Sequence, residues 1–200
     1  MPPATIDQVL DLIRERGLLR PRDLDHYHLP RQYLYRLYRR GQLVRLDRGL
    51  YALPDHDLTE HHDLAELGKR VPRSVVCLLS ALRFHNLTTQ LPREVWLAIE
   101  QKAWRPQGLE IPVRFVYMSG EAFEAGIETH EIEGTSVRIY SPAKTVADCF
   151  KFRNKIGLDV AVEALQEYQR IYRQGLDTLW HFAKIDRVGR VMRPYLDMLS

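Results

Sequence analysis

The stretch Pro30-Arg31-Gln32-Tyr33-Leu34-Tyr35-Arg36-Leu37-Tyr38-Arg39-Arg40-Gly41 runs directly into Gln42-Leu43-Val44-Arg45-Leu46-Asp47-Arg48-Gly49-Leu50-Tyr51-Ala52-Leu53-Pro54. The first part reads as a helix over residues 30–40, because Pro30 suits a first-turn position and Gly41 a C-terminal stop. Leu34, Leu37 and Tyr38 fall on one side at helical spacing. Arg31, Gln32, Tyr35, Arg36 and Arg39 fall on the other. The second part has two short apolar segments around Asp47-Arg48-Gly49, the pattern of a β-hairpin with a glycine-containing turn.

Upstream, Thr5 is placed to cap a helix over residues 6–16, whose Ile6, Val9, Leu10 and Ile13 recur at i, i+3, i+4 and i+7. Gly17 ends that helix. A short helix over residues 21–25 and a turn over residues 26–29 lead back to Pro30. Three short helices and then a hairpin is the element order of a winged helix-turn-helix. In that motif the second helix enters the major groove of B-DNA with its N-terminal end first. Base edges there are distinguishable: arginine pairs with guanine and glutamine with adenine. Arg31, Gln32 and Arg36 are therefore the candidate base readers. Tyr35, Arg39 and Arg40 are the candidate phosphate contacts, and Arg45 and Arg48 lie on the wing. From residue 31 to residue 48 the cations are six arginines, and the only anion is Asp47. Two plainer readings exist: a solvated helix surface, and a winged helix used for protein contacts.

With 200 residues, 45% hydrophobic and 28% charged, the chain has the composition of a packed globular protein rather than a disordered one. No apolar run approaches the roughly 20 residues of a bilayer span. The start, Met1-Pro2-Pro3-Ala4, lacks the pattern of a secretory signal, so the expected location is the cytoplasm. Cys77 and Cys149 each lie in apolar surroundings and are expected as buried, reduced thiols.

The expected domains are a DNA-binding one over residues 1–56 and a second over residues 57–200. A polar linker with His56, His61 and His62 leads into a helix over residues 58–70. Those histidines are expected at the surface rather than on a metal. Strands are expected over residues 95–99, 113–117 and 137–140, and Val75 opens either a strand or a helix. Gly134 marks a turn, and Ser141 or Pro142 starts a helix through about residue 151. Further helices are expected over residues 159–172, 177–184 and 188–199. The fold class is α+β: an N-terminal winged helix-turn-helix followed by a mixed α/β domain.

Chemistry in the second half is sparse. Trp96-Leu97-Ala98-Ile99-Glu100-Gln101-Lys102 resembles the strand-borne Glu-x-Lys of metal-dependent nucleases, but such a site needs a second carboxylate. Between residues 67 and 93 the sequence has neither Asp nor Glu. Ser80 and His85 lack the elbow glycines of a nucleophile and base. Neither a phosphate-cradling glycine loop nor metal-ligand spacing is found, so no cofactor or metal is expected. Lys144, Thr145 and Asp148 share a helix near a strand end. They form either a C-terminal functional face or a local pairing. Trp96, Trp104 and Trp180 are expected in the core or at an interface.

Three stretches resemble the AbiEi-type antitoxins, predicted transcriptional regulators of phage-defence systems. They are the wing ending Arg48-Gly49-Leu50-Tyr51, the segment Ser80 to Gln90 with Pro92 and the strand Val95-Trp96-Leu97-Ala98-Ile99, and Ile139-Tyr140-Ser141-Pro142 through Phe150. The resemblance implies an N-terminal winged helix with a C-terminal α/β domain, and an operon shared with a nucleotidyltransferase toxin. It also implies repression of the chain's own promoter through inverted repeats in double-stranded DNA. The resemblance further implies that the C-terminal domain contributes to countering the toxin, in many systems without a stable toxin complex. The competing expectations are a nuclease targeted by its winged helix, and a regulator that senses a ligand or partner with no toxin involved.

Overall fold

The structure, a computed structural model, describes residues 6–47, 49–54 and 61–199. The chain is mixed α+β, as expected, and divides into two compact units. One holds Met1–Arg70 with Glu131–Ser136, the other Val71–His130 with Val137–Ser200.

The first unit begins with α1 (Ile6–Arg16), a 3-10 turn (Asp23–Tyr27) and α2 (Gln32–Arg39). The hairpin β1 (Val44–Asp47) and β2 (Leu50–Ala52) follows, and then α3 (His62–Arg70). Val9, Leu12 and Ile13 of α1 meet Leu34 and Leu37 of α2 in one core, closed by Leu24, Leu29, Leu43 and Tyr51. Burial of each such leucine contributes about 1.5–3 kcal/mol relative to exposure, which outweighs the weak helix propensity of these short segments. Thr5, the expected cap of α1, lies outside the described residues, as does His56. Gly17 ends α1 at a φ of 71°, with its N–H donating to Ile13 O at 2.8 Å. Leu19 then exchanges both backbone hydrogen bonds with Tyr51, at 3.0 and 2.9 Å, and so adds a third extended segment beside β2. His62 is not a surface histidine: its Nδ1 lies 2.8 Å from Glu133 Oε2, and its side chain is 15% exposed.

A five-stranded sheet of order β5-β4-β3-β7-β6 follows, and all of it except residues 131–136 belongs to the second unit. Its strands are β3 (Val75–Val76), β4 (Val95–Glu100), β5 (Val113–Met118), β6 (Ile127–Ile132) and β7 (Thr135–Tyr140). β4 runs parallel to β5 and antiparallel to β3, and β3 runs parallel to β7. Glu133 and Gly134 connect β6 to β7 with φ of 49° and 65°, the two positive values that a type I′ turn needs. The helices are α4 (Leu78–Phe84), α5 (Glu121–Glu124), α6 (Pro142–Lys151), α7 (Arg153–Ile156), α8 (Leu158–Ile171), α9 (Leu176–Ile185) and α10 (Gly189–Leu199). α6 starts as the sequence predicts, with Ser141 Oγ accepting from the Lys144 N–H and Pro142 in the first turn. It packs against α4, α8 and α9, so Ala143 through Phe150 are all buried. Cys77 and Cys149 are buried free thiols, as expected. No described helix is long and apolar enough to cross a membrane.

Candidate nucleic-acid interface

α2 sorts its side chains cleanly. Leu34 and Leu37 are fully buried against α1, while Gln32, Tyr35, Arg36 and Arg39 are exposed in a single stripe at i, i+3, i+4 and i+7. The cause is the heptad-like spacing itself: two leucines face the core, so everything between them faces water. Arg31 and Arg40 flank the helix and are also exposed. Among the described residues no carboxylate pairs with Arg36, Arg39 or Arg40. The Arg36 guanidinium lies 5.9 Å from the centre of the Tyr33 ring, a partly buried platform under the stripe. Tyr38 departs from expectation. It is 40% exposed, with a T-shaped contact to Tyr51 at 6.1 Å. That contact joins the end of α2 to β2, and Arg45 stands opposite Tyr51 in the hairpin register, exposed on β1. Arg48 lies outside the described residues.

Arg31 differs from the other arginines. Its Nε donates to Asp25 Oδ1 at 2.8 Å and its Nη2 to Asp25 Oδ2, a two-pronged ion pair with the preceding turn. That hydrogen bonding holds the Asp25 carboxyl below the usual carboxylate range. A base contact from Arg31 therefore requires it to leave Asp25. The α2 N-terminus also starts later than the sequence predicts, because Pro30 and Arg31 form a turn whose carbonyls accept from Tyr33 and Leu34 at 3.0 and 3.3 Å. Gln32, the first residue of α2, is consequently the exposed polar side chain of the helix nearest its tip.

The structure brings Lys144, Thr145 and Asp148 together, but not as a surface face, because all three are fully buried. Lys144 Nζ donates to Asp148 Oδ1 and, at 3.2 Å, to Asp186 Oδ2, while Lys151 Nζ donates to Asp186 Oδ1 at 3.1 Å. Thr145 Oγ1 donates to Tyr140 O at 3.2 Å. Burial pushes the Asp148 carboxyl up, the Lys144 ammonium pulls it down, and the neighbouring Asp186 pushes it up again. The net direction is upward. Asp148 Oδ2 meets no donor among the described residues. Sequence reasoning missed Asp186, which lies far along the chain from α6.

Ser80 and His85 are structural. Ser80 Oγ accepts from the Trp96 N–H at 2.9 Å, and His85 Nε2 donates to Tyr140 O at 2.8 Å. Trp96 is buried and Trp180 packs on the core, whereas Trp104 is 83% exposed, contrary to a core assignment. Glu100 and Lys102 line a cleft with Arg73, Arg138 and Trp104, in which Glu100 is the single carboxylate. Among the described residues no three His, Cys, Asp or Glu side chains gather where they would hold a metal ion.

Residues 7–54 match the family model of the AbiEi antitoxin transcriptional regulator. The match covers α1, the 3-10 turn, α2 and the hairpin, and it bears out the resemblance to AbiEi-type antitoxins. No curated protein matches the chain.

Proposed function

We propose that residues 6–54 form a winged helix-turn-helix that places α2 in the major groove of duplex DNA. The chain represses its own promoter, acting on inverted repeats. It is the antitoxin of a pair whose toxin is a nucleotidyltransferase, and it works in the cytoplasm without catalysis of its own. The observation that carries the DNA reading is the stripe Gln32, Tyr35, Arg36 and Arg39, exposed together on the one face of α2 that the leucines leave free. The hairpin supports it: tied to α2 through Tyr38 and Tyr51, it carries Arg45 on its exposed side. The matched family supplies the antitoxin and regulator roles.

DNase footprinting of the region upstream of the gene tests the proposal. A footprint over inverted repeats is expected. Arg36→Ala should lower operator affinity by about 1–3 kcal/mol and relax sequence preference. Equal operator affinity for wild type and an Arg31→Ala/Arg36→Ala variant would overturn the assignment. The toxin partner is tested separately. Growth arrested by the product of a neighbouring nucleotidyltransferase reading frame should be restored by co-expression of this chain.

A further inference from the structure

The cleft at the carboxyl end of β4 has features that DNA binding by α2 does not use. It has a volume of about 490 Å³ and lies wholly within the second unit. That size falls in the range of small-molecule sites. Its floor is apolar, from Ile99 and Phe123, both buried. Its walls carry three cations, Arg73, Lys102 and Arg138, against one carboxylate, Glu100. Arg73 and Lys102 have no carboxylate partner among the described residues, and Glu100 pairs with neither. Arg138 is held in place by one hydrogen bond, from Nη1 to Arg73 O at 3.0 Å. A guanidinium has five donors, so most of its fork remains for a ligand. Trp104 completes the lining, 83% exposed, in a loop that follows β4 directly. A tryptophan ordinarily buries most of its area, and a solvated indole beside guanidinium groups is the pairing that stacks on a base while cations hold a phosphate.

We propose that this cleft binds a nucleotide, with Arg73, Lys102 and Arg138 on the phosphate and the Trp104 indole against the base. Glu100 accepts from base or ribose donors and disfavours a bare polyanion. The chemistry is shared by a free nucleotide and by the 5′-phosphorylated end of a single strand. The site is independent of α2, so it stands or falls apart from the operator contact.

Titration calorimetry on the full chain tests the site. The probes are adenosine 5′-diphosphate, inorganic phosphate, and a short oligothymidylate with and without a 5′-phosphate. The oligonucleotides are titrated into an Arg36→Ala/Arg39→Ala background, which removes the two cations of the α2 stripe. Saturable binding of the diphosphate is expected, weakened about tenfold or more in Trp104→Ala and in Arg138→Gln, and unchanged by Arg36→Ala/Arg39→Ala. Because Trp104 and Lys102 are exposed, Trp104→Ala and Lys102→Ala should leave thermal unfolding unaltered and so report on the site alone. Preference for the 5′-phosphorylated strand over the diphosphate would identify a strand end as the ligand. Absence of binding by both nucleotide probes up to millimolar concentration would overturn the proposal. Equal affinity in Trp104→Ala would do so too, as would inorganic phosphate binding as tightly as the diphosphate.

Discussion

Replacement of Lys144 by methionine decides whether the buried cluster of α6 holds the fold or does chemistry. Methionine is unbranched and close to lysine in length, but the ammonium it lacks is the one charge shared by Asp148 and Asp186. Removing one partner of a buried pair costs about 3–5 kcal/mol. Asp186 keeps Lys151 at 3.1 Å, so the loss falls near the lower end, about 3 kcal/mol. For a chain of this size each kcal/mol moves Tm by about 2–4 °C, which gives a fall of roughly 6–12 °C. The pH dependence has a definite sign. Asp148 is pushed above the usual carboxylate range, so the stability tied to its protonated form is present at low pH and lost as pH rises through the native value. The deficit of Lys144→Met should therefore be larger at about pH 8 than at about pH 5, since acid neutralises the Asp148 carboxyl that the substitution strands. Lys144→Met/Asp148→Leu, which removes the stranded charge, should recover much of the loss. Thermal unfolding followed by circular dichroism at both pH values reads all three. A Lys144→Met variant that melts with wild type, or whose deficit ignores pH, would refute the reasoning.

The proposed binding of duplex DNA by α2 offers a second check through its salt dependence. Each phosphate contact contributes about 0.9 to the slope of log K against log salt, so Arg39→Ala/Arg40→Ala should reduce it by about 1.8. Between about 50 and 200 mM salt the variant then loses roughly twelvefold less affinity than wild type, as fluorescence anisotropy would show. An unchanged slope would remove both arginines from the phosphate backbone. His85 gives a third prediction. Burial holds its imidazole below the ordinary histidine range, and its Nε2–H is committed to Tyr140 O. Its contribution is complete above the unfolded value of about 6.5 and is lost as pH falls. His85→Gln should flatten the stability curve between about pH 6.5 and 5 in denaturant titrations, and an identical acid limb in both proteins would contradict this.

The elements written by local pattern were legible. Leucine spacing gives α1 and α2, glycine gives the ends of both, and runs of Val, Ile and aromatics give β4, β5 and β7. What escaped is set by distant partners. β6 reads Ile127-Glu128-Thr129-His130-Glu131-Ile132, polar throughout its middle, because an edge strand pairs on one side and needs no continuous apolar run. β3 ends after two residues because Leu78 already belongs to α4. Lys144, Thr145 and Asp148 read as either a functional face or a local pairing, since nothing near them in sequence announces Asp186. The stripe on α2 was legible residue by residue, but the claim of Asp25 on Arg31 was not. The cleft around Trp104 was invisible for the same reason: its cations come from three separate segments.

The brevity of β3 has a mechanical consequence. Among the described residues it is the one strand between two ladders, β5-β4 on one side and β7-β6 on the other. It meets β4 through Val75 and Val76 and touches β7 through Val76 and Ile139. So short a splice resists separation chiefly through the side chains packed above and below it, not through its own backbone bonds. The two ladders are thus poised to breathe along this line, and amide protons of Val75, Val76 and Cys77 should exchange together in one cooperative event, ahead of those inside β4.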